Sequence, residues 1–198
     1  MGWRGATLTD SGGYQVMSLS KTRQIDDQGV RFRSHLDGSP MLLTPEIAIE
    51  AQYDLGVDIA MALDECPPYP CSRDEAGRAM GRTHAWAERC LRARADNQSV
   101  FGIVQGGVHE DLRTESAQTI GSMAFDGFAI GGVSVGEPTE MQYPVVAHTA
   151  PLLPQDKVRY LMGVGYPEQL ADYISRGVDM MDCVLPTRSA RNGLLFTS

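Results

Sequence analysis

A recurrence constrains this chain more than any single residue does. Short apolar or β-branched runs end in a glycine, an acid or an amide, and a longer amphipathic stretch follows each. The runs fall near Thr7–Thr9, Ile59–Leu63, Val100–Val104, Phe128–Ile130, Tyr160–Gly163 and Met180–Cys183. Thr44-Pro45-Glu46 supplies an N-cap, a first-turn proline and a first-turn acid for a helix reaching Gly56. Arg73–Arg94 sets Ala76, Met80, Ala87 and Leu91 at helical spacings, and Glu110–Met123, Glu140–Leu152 and Pro167–Arg176 complete the helices. Such alternation predicts an α/β protein with a parallel sheet. One segment departs from it. Val30–Ser34 alternates like an antiparallel strand and Asp37-Gly38 reads as a hairpin turn, so an antiparallel excursion is expected over about 14–40.

About six β/α units fit into the 198 residues, read as one domain over 1–198. A closed eight-stranded barrel typically takes ~250 residues, so length alone suits a doubly wound open sheet. No stretch approaches the ~20 apolar residues of a membrane span, and the first residues lack the apolar core of a signal peptide. Cys66, Cys71, Cys90 and Cys183 form no CxxC pair, which suits a reducing cytoplasm. A net charge of -8 argues against non-specific nucleic-acid binding unless the charge is sorted. Arg73–Arg94, with six basic and three acidic residues, is where sorting is expected.

Chemistry-bearing residues sit where the runs end: Asp10 in TDSGGY, Asp64 in LDECPP, Gln105 in VQGG, Gly131-Gly132 in IGGVSVGE, Gly163 in LMGVG and Asp182 in MDCVLPTR. In a parallel barrel all emerge on the C-terminal face, where such folds build their sites. Each also has a plainer reading, since Asp10 before Ser-Gly-Gly is a good Asx-turn and Gln105-Gly106-Gly107 a good strand-to-helix turn. Asp182 is harder to dismiss, because an ionised carboxylate inside the apolar run Val178–Leu185 is costly unless paired or used. The glycine clusters match neither GxGxxG nor a Walker loop, the four histidines have no metal-ligand spacing, and there is no GxSxG. Carboxylates, an amide and glycine backbone around one mouth suit attack at a sugar carbon, with one aspartate as nucleophile and another as acid/base. The remaining groups could read the edge of a planar heterocycle.

TDSGGYQVMSL, ALDECPP, FGIVQGG, IGGVSVGE, YLMGVGYPE and MDCVLPTRSARNG together resemble, in order and from end to end, the bacterial tRNA-guanine transglycosylases. The resemblance implies a (β/α)8 barrel enzyme that replaces the wobble guanine of a GUN anticodon with 7-aminomethyl-7-deazaguanine. By motif, Asp182 resembles the nucleophile at the ribose anomeric carbon and Asp10 the general acid/base. Asp64, Gln105 and the Gly132 backbone match base-reading positions, Ser11, Gly12 and Gly13 are substrate-binding by the same resemblance, and Tyr14 and Met162 resemble the two sides of a stacking slot. Gly163, Val164, Gly165, Tyr166, Pro167, Glu168 and Gln169, with Thr187, Arg188, Ser189, Ala190 and Arg191, match segments that contact tRNA. Cys66 and Val135 resemble the bacterial choices, favouring the aminomethyl base over queuine, and Val133 stands where leucine is usual. The resemblance also implies a cytoplasmic homodimer with two barrel units before Met1 and a structural zinc module after Ser198, none of whose ligands is in this sequence; this chain is thus expected to be a fragment. A nucleosidase-type hydrolase, a non-catalytic partner subunit and the archaeal relative are the competing readings.

Overall fold

The computed structural model describes residues 2–19 and 23–195. The chain runs through β1 (Leu8–Thr9), α1 (Gly13–Leu19), β2 (Gln24–Asp26), β3 (Gly29–Arg33), β4 (Pro40–Leu43), α2 (Pro45–Asp54), β5 (Ile59–Met61) and α3 (Arg73–Ala93). It continues through β6 (Ser99–Val104), α4 (Glu110–Gly121), β7 (Gly127–Ile130), α5 (Thr139–Thr149), β8 (Val158–Leu161), α6 (Pro167–Ser175), β9 (Met180–Met181) and α7 (Leu185–Arg191).

Six strands pair in parallel in the order β1-β5-β6-β7-β8-β9, each with its successor in the alternating pattern. A doubly wound sheet reverses strand order at a switch point. This sheet steps in one direction throughout, which is barrel winding, so the fold is an incomplete (β/α)8 barrel and the length-based preference for an open sheet is overturned. Side chains alternate between two cores along the strands. Met61, Phe101, Ile103, Ala129 and Tyr160 pack together on the inner face. Ala60, Val100, Val104, Phe128, Ile130 and Leu161 belong to the cluster shared with the helices. Gly127 is required for this packing: a Cβ there would lie 2.4 Å from the Phe101 ring.

The departure between β1 and β5 is helix α1 followed by a three-stranded antiparallel sheet with β3 in the middle. Asp37-Gly38 does not make a two-residue turn. Arg33 pairs with Pro40, so residues 34–39 form a longer loop, closed by Ser34 N–H donating to Ser39 O at 2.9 Å. Asp37 accepts from Ser39 N–H, and Gly38 takes φ +73°.

Caps follow the sequence signals. Thr44 Oγ1 accepts from Ile47 N–H at the start of α2, and Ser72 and Glu75 form a capping box on α3. The charge on α3 differs in meaning from what its sequence suggested. Of the six arginines in Arg73–Arg94, five face acids: Arg73 with Asp111, Arg82 with Glu65, Arg89 with Glu46, Arg92 with Glu88 and Arg94 with Asp126. Arg78 makes no close ion pair among the described residues, though its charge bears on Glu75, so the helix is an ion-paired outer layer and not a reservoir of free positive charge. Arg89 is the most connected, gripping both Glu46 oxygens at 2.7 Å and the carbonyls of Asp27 and Gln28. Its guanidinium holds the Glu46 carboxyl down to about 2. Arg89→Met is expected to lower unfolding free energy by about 1–2 kcal/mol, read as a lower denaturant midpoint at unchanged slope.

Candidate active site

Because the six strands are parallel, Asp10, Asp64, Gln105, Gly131-Gly132, Met162-Gly163 and Asp182 all follow strand C-termini and meet at one mouth. Several runs read as strand are shorter than expected: β5 stops at Met61, β8 at Leu161 and β9 at Met181. The residues left over form the site.

Asp182 is exposed, so its position in an apolar stretch does not bury it as the sequence suggested. Pairing sets it apart instead. Its Oδ1 accepts from the Tyr160 hydroxyl at 2.6 Å and from Gly163 N–H at 2.7 Å, and among the described residues Oδ2 accepts no hydrogen bond. Burial, the bond to Asp182 and the charges of Asp182 and Asp10 all push the Tyr160 phenol up, so it remains a donor. Asp10 retains an exposed face and accepts from Gln15 Nε2 at 3.4 Å. Lost hydration raises its carboxyl above the ordinary range; the Gln15 bond opposes this, and the nearby Asp182 carboxylate adds to it.

Asp64 is buried, and its Oδ2 accepts from Gln105 Nε2 at 2.6 Å. Burial pushes its carboxyl up to about 6, against the Gln105 bond and with help from Asp10 and Glu65. Among the described residues no group donates to the buried Gln105 Oε1, which leaves an acceptor at the mouth. Gly132 takes φ +64°, and a Cβ there would stand 2.4 Å from that oxygen, so only glycine fits beside Gln105. Two residues escaped the sequence reading. Glu137 accepts from Ser134 and Val135 N–H, holding the loop after β7 with Ser134 at φ +63°. Arg113, fully buried on α4, donates to the carbonyls of Val104, Gly107, Gly131 and Gly132. An arginine at an apolar helix position was the available signal for the second. Burial pushes the Cys66 thiol up to about 12, so it stays protonated near neutral pH.

Because the folded-state pKa lies above the unfolded value, Asp64 costs the native state stability progressively as pH rises from about 4, and the cost is complete once pH passes about 6. The cost at neutral pH is on the order of 2–3 kcal/mol. Asp64→Asn is therefore expected to raise the melting temperature at about pH 7.5, the gain shrinking toward about pH 4 as both states protonate the wild-type acid.

Around this centre the expected residues separate by role. Ser11 Oγ accepts from Gly13 N–H, and Gly12 at φ +83° turns the chain into α1, which carries Tyr14 exposed. Met162 is half-buried against the inner core. In the segment 163–169, Val164 is buried in the core and the Gln169 side chain accepts from Tyr166 N–H at the start of α6, so those two support the loop. Gly163, Tyr166, Pro167 and Glu168 remain exposed. On α7, Thr187, Arg188, Ala190 and Arg191 are exposed, and neither arginine has an acidic partner among the described residues. No group of three or more His, Cys, Asp or Glu among the described residues could hold a metal ion. No helix among them is long and apolar enough to cross a membrane.

A parallel β/α barrel fold with acids and an amide gathered at the C-terminal mouth is the class this chain presents. The sequence model of the queuine tRNA-ribosyltransferase family matches residues 1–198. Proteins named queuine tRNA-ribosyltransferase from Bacillus velezensis and Bacillus subtilis are each 60% identical over 200 aligned positions, covering 100% of this chain and 52% of theirs. That of Desulforamulus reducens is 56% identical, with 54% of it covered. The chain belongs to the queuine tRNA-ribosyltransferase family and spans about half the length of these relatives.

Proposed function

We propose that the protein carrying this sequence exchanges guanine at the wobble position of GUN-anticodon tRNA for a 7-deazaguanine through a covalent intermediate. The observation that supports this best is the asymmetry of the two mouth aspartates. Asp182 is clamped through Oδ1 with Oδ2 open, and Asp10 faces it with a raised carboxyl. In this reading Oδ2 of Asp182 attacks the ribose anomeric carbon as the bond to guanine breaks, and Asp10 gives its proton to the departing base. Asp10 then takes a proton from the incoming base, whose nitrogen displaces the Asp182 carboxylate and restores the enzyme. Exchange requires the covalent step, because one base must leave the slot before the next can enter.

Asp64, Gln105 and the Gly132 N–H read the heterocycle's edge, and Tyr14 and Met162 stack on its faces, as a base taken out of its nucleic-acid stack requires. Arg188 and Arg191 neutralise phosphates near the target nucleotide. Cys66 and Val135 favour the aminomethyl base over queuine. The reading carries with it a cytoplasmic homodimer with a structural zinc in the family's C-terminal module. Supplying the full-length protein with a GUN-anticodon tRNA and labelled guanine, 7-aminomethyl-7-deazaguanine or queuine tests it. Incorporation of guanine and the aminomethyl base is expected. Release of free guanine with no incoming base would mark a hydrolase instead, and incorporation of queuine alone would overturn the substrate assignment.

A further inference from the structure

We propose that Arg113 is a positioning residue that aims the base-reading groups of Gln105 and Gly132 through their peptide planes; this rests on the functional reading above. Arg113 and Ser116 lie one helical turn apart on α4, both fully buried; Arg113 reaches the loops after β6 and β7, and Ser116 the loop after β6. Arg113 Nη1 donates to Gly131 O at 2.7 Å and to Val104 O at 3.2 Å. Its Nη2 donates to Gly132 O at 3.2 Å and its Nε to Gly107 O at 2.8 Å. Four of the five guanidinium N–H groups are thus spent on backbone carbonyls, in a fork only arginine has.

The geometry gives these bonds a consequence beyond packing. A trans peptide is planar, so its C=O and the following N–H point in opposite directions. Fixing Gly131 O fixes the direction of the Gly132 N–H, which no hydrogen bond among the described residues occupies. The Val104–Gln105 peptide is held on both sides, with Arg113 on its carbonyl and Ser116 Oγ accepting the Gln105 N–H at 3.1 Å. One side chain therefore ties together the two loops that carry the Gln105 amide and the Gly132 donor.

A buried cation with no carboxylate hydrogen-bonded to it is expensive to keep. Burial lowers the guanidinium to about 10, and the Glu137 carboxylate is the charge that works against that shift near neutral pH. A core position needing only volume would be met by leucine or methionine. An arginine that makes every one of its bonds to the carbonyls behind a binding edge is a device for orientation.

The test compares wild-type full-length protein with Arg113→Met, Arg113→Lys and Ser116→Ala. Guanine affinity is read by calorimetry and tRNA affinity by filter binding. Arg113→Met is expected to weaken guanine binding at least about tenfold, and Ser116→Ala about threefold, with tRNA affinity held within about twofold by its phosphate contacts. Lysine keeps the charge but not the fork, so Arg113→Lys should recover only part of the loss. Unchanged guanine affinity in the Arg113 variants overturns the proposal. So does parallel loss of guanine and tRNA affinity, which marks a purely structural role. If the Arg113 variants fail to fold, unchanged guanine affinity in Ser116→Ala overturns it. Failure of the wild-type protein to bind guanine overturns the functional reading and this inference with it, whereas wild-type binding with unaffected variants removes only the inference.

Discussion

Asparagine at Asp182 is expected to lower base exchange by at least about 10⁴-fold, because a nucleophile that forms the intermediate has no substitute at this mouth. The substitution is a demanding one. An asparagine Oδ1 can still accept from the Tyr160 hydroxyl and Gly163 N–H, so the clamp that positions the side chain is kept. What disappears is the open Oδ2, replaced by an amide nitrogen that cannot attack. Thermal stability and tRNA affinity should stay close to wild type, since Asp182 is exposed and contributes to no core. Exchange rates with labelled guanine and a melting curve on the same preparation check both halves. Retention of a tenth or more of the wild-type rate would remove Asp182 from the mechanism.

Asp10→Asn should slow the reaction by about 10²–10⁴-fold, the range for a lost general acid/base. The loss belongs to the chemical steps, so base departure in a single turnover should fall with little change in tRNA affinity. The raised carboxyl has a direction to its consequence. A group that holds its proton to higher pH is a better acid near neutrality, so the rate of base departure should decline as pH rises through that raised value. The Asn variant should lose that pH dependence. A variant with an unchanged profile would assign the proton transfer to another group.

Much of the architecture is written in periodicity, since the parallel strands and the five longer helices come from runs long enough to show a repeat. The two helices that escape it, α1 and α7, are seven residues each and start at glycine or next to proline, too short for an amphipathic signal. Chain length pointed to an open sheet and strand order corrected it, because winding direction is a property of pairing and not of any segment. At the mouth, Asp10, Asp64, Gln105, Gly132 and Asp182 are legible as polar residues closing apolar runs. Their division of labour is not. Asp182 looks buried in sequence and is exposed, while Asp64 takes the burial. The six arginines of Arg73–Arg94 look like a nucleic-acid surface, yet five of them have acidic partners lying from 4 to 55 positions away in the chain. Arg188 and Arg191, exposed and with no acidic partner among the described residues, lie on a helix the periodicity did not show. Arg113 and Glu137 act on backbone groups, and nothing local announces that.

The most direct measurement is a denaturing gel of full-length protein incubated with end-labelled GUN-anticodon tRNA. The wild type is predicted to give a slow-migrating protein–tRNA band that survives detergent, fades when excess guanine is added, and is absent from Asp182→Asn. Exchange by the wild type with no such band, or an undiminished band in Asp182→Asn, would contradict a covalent intermediate on Asp182.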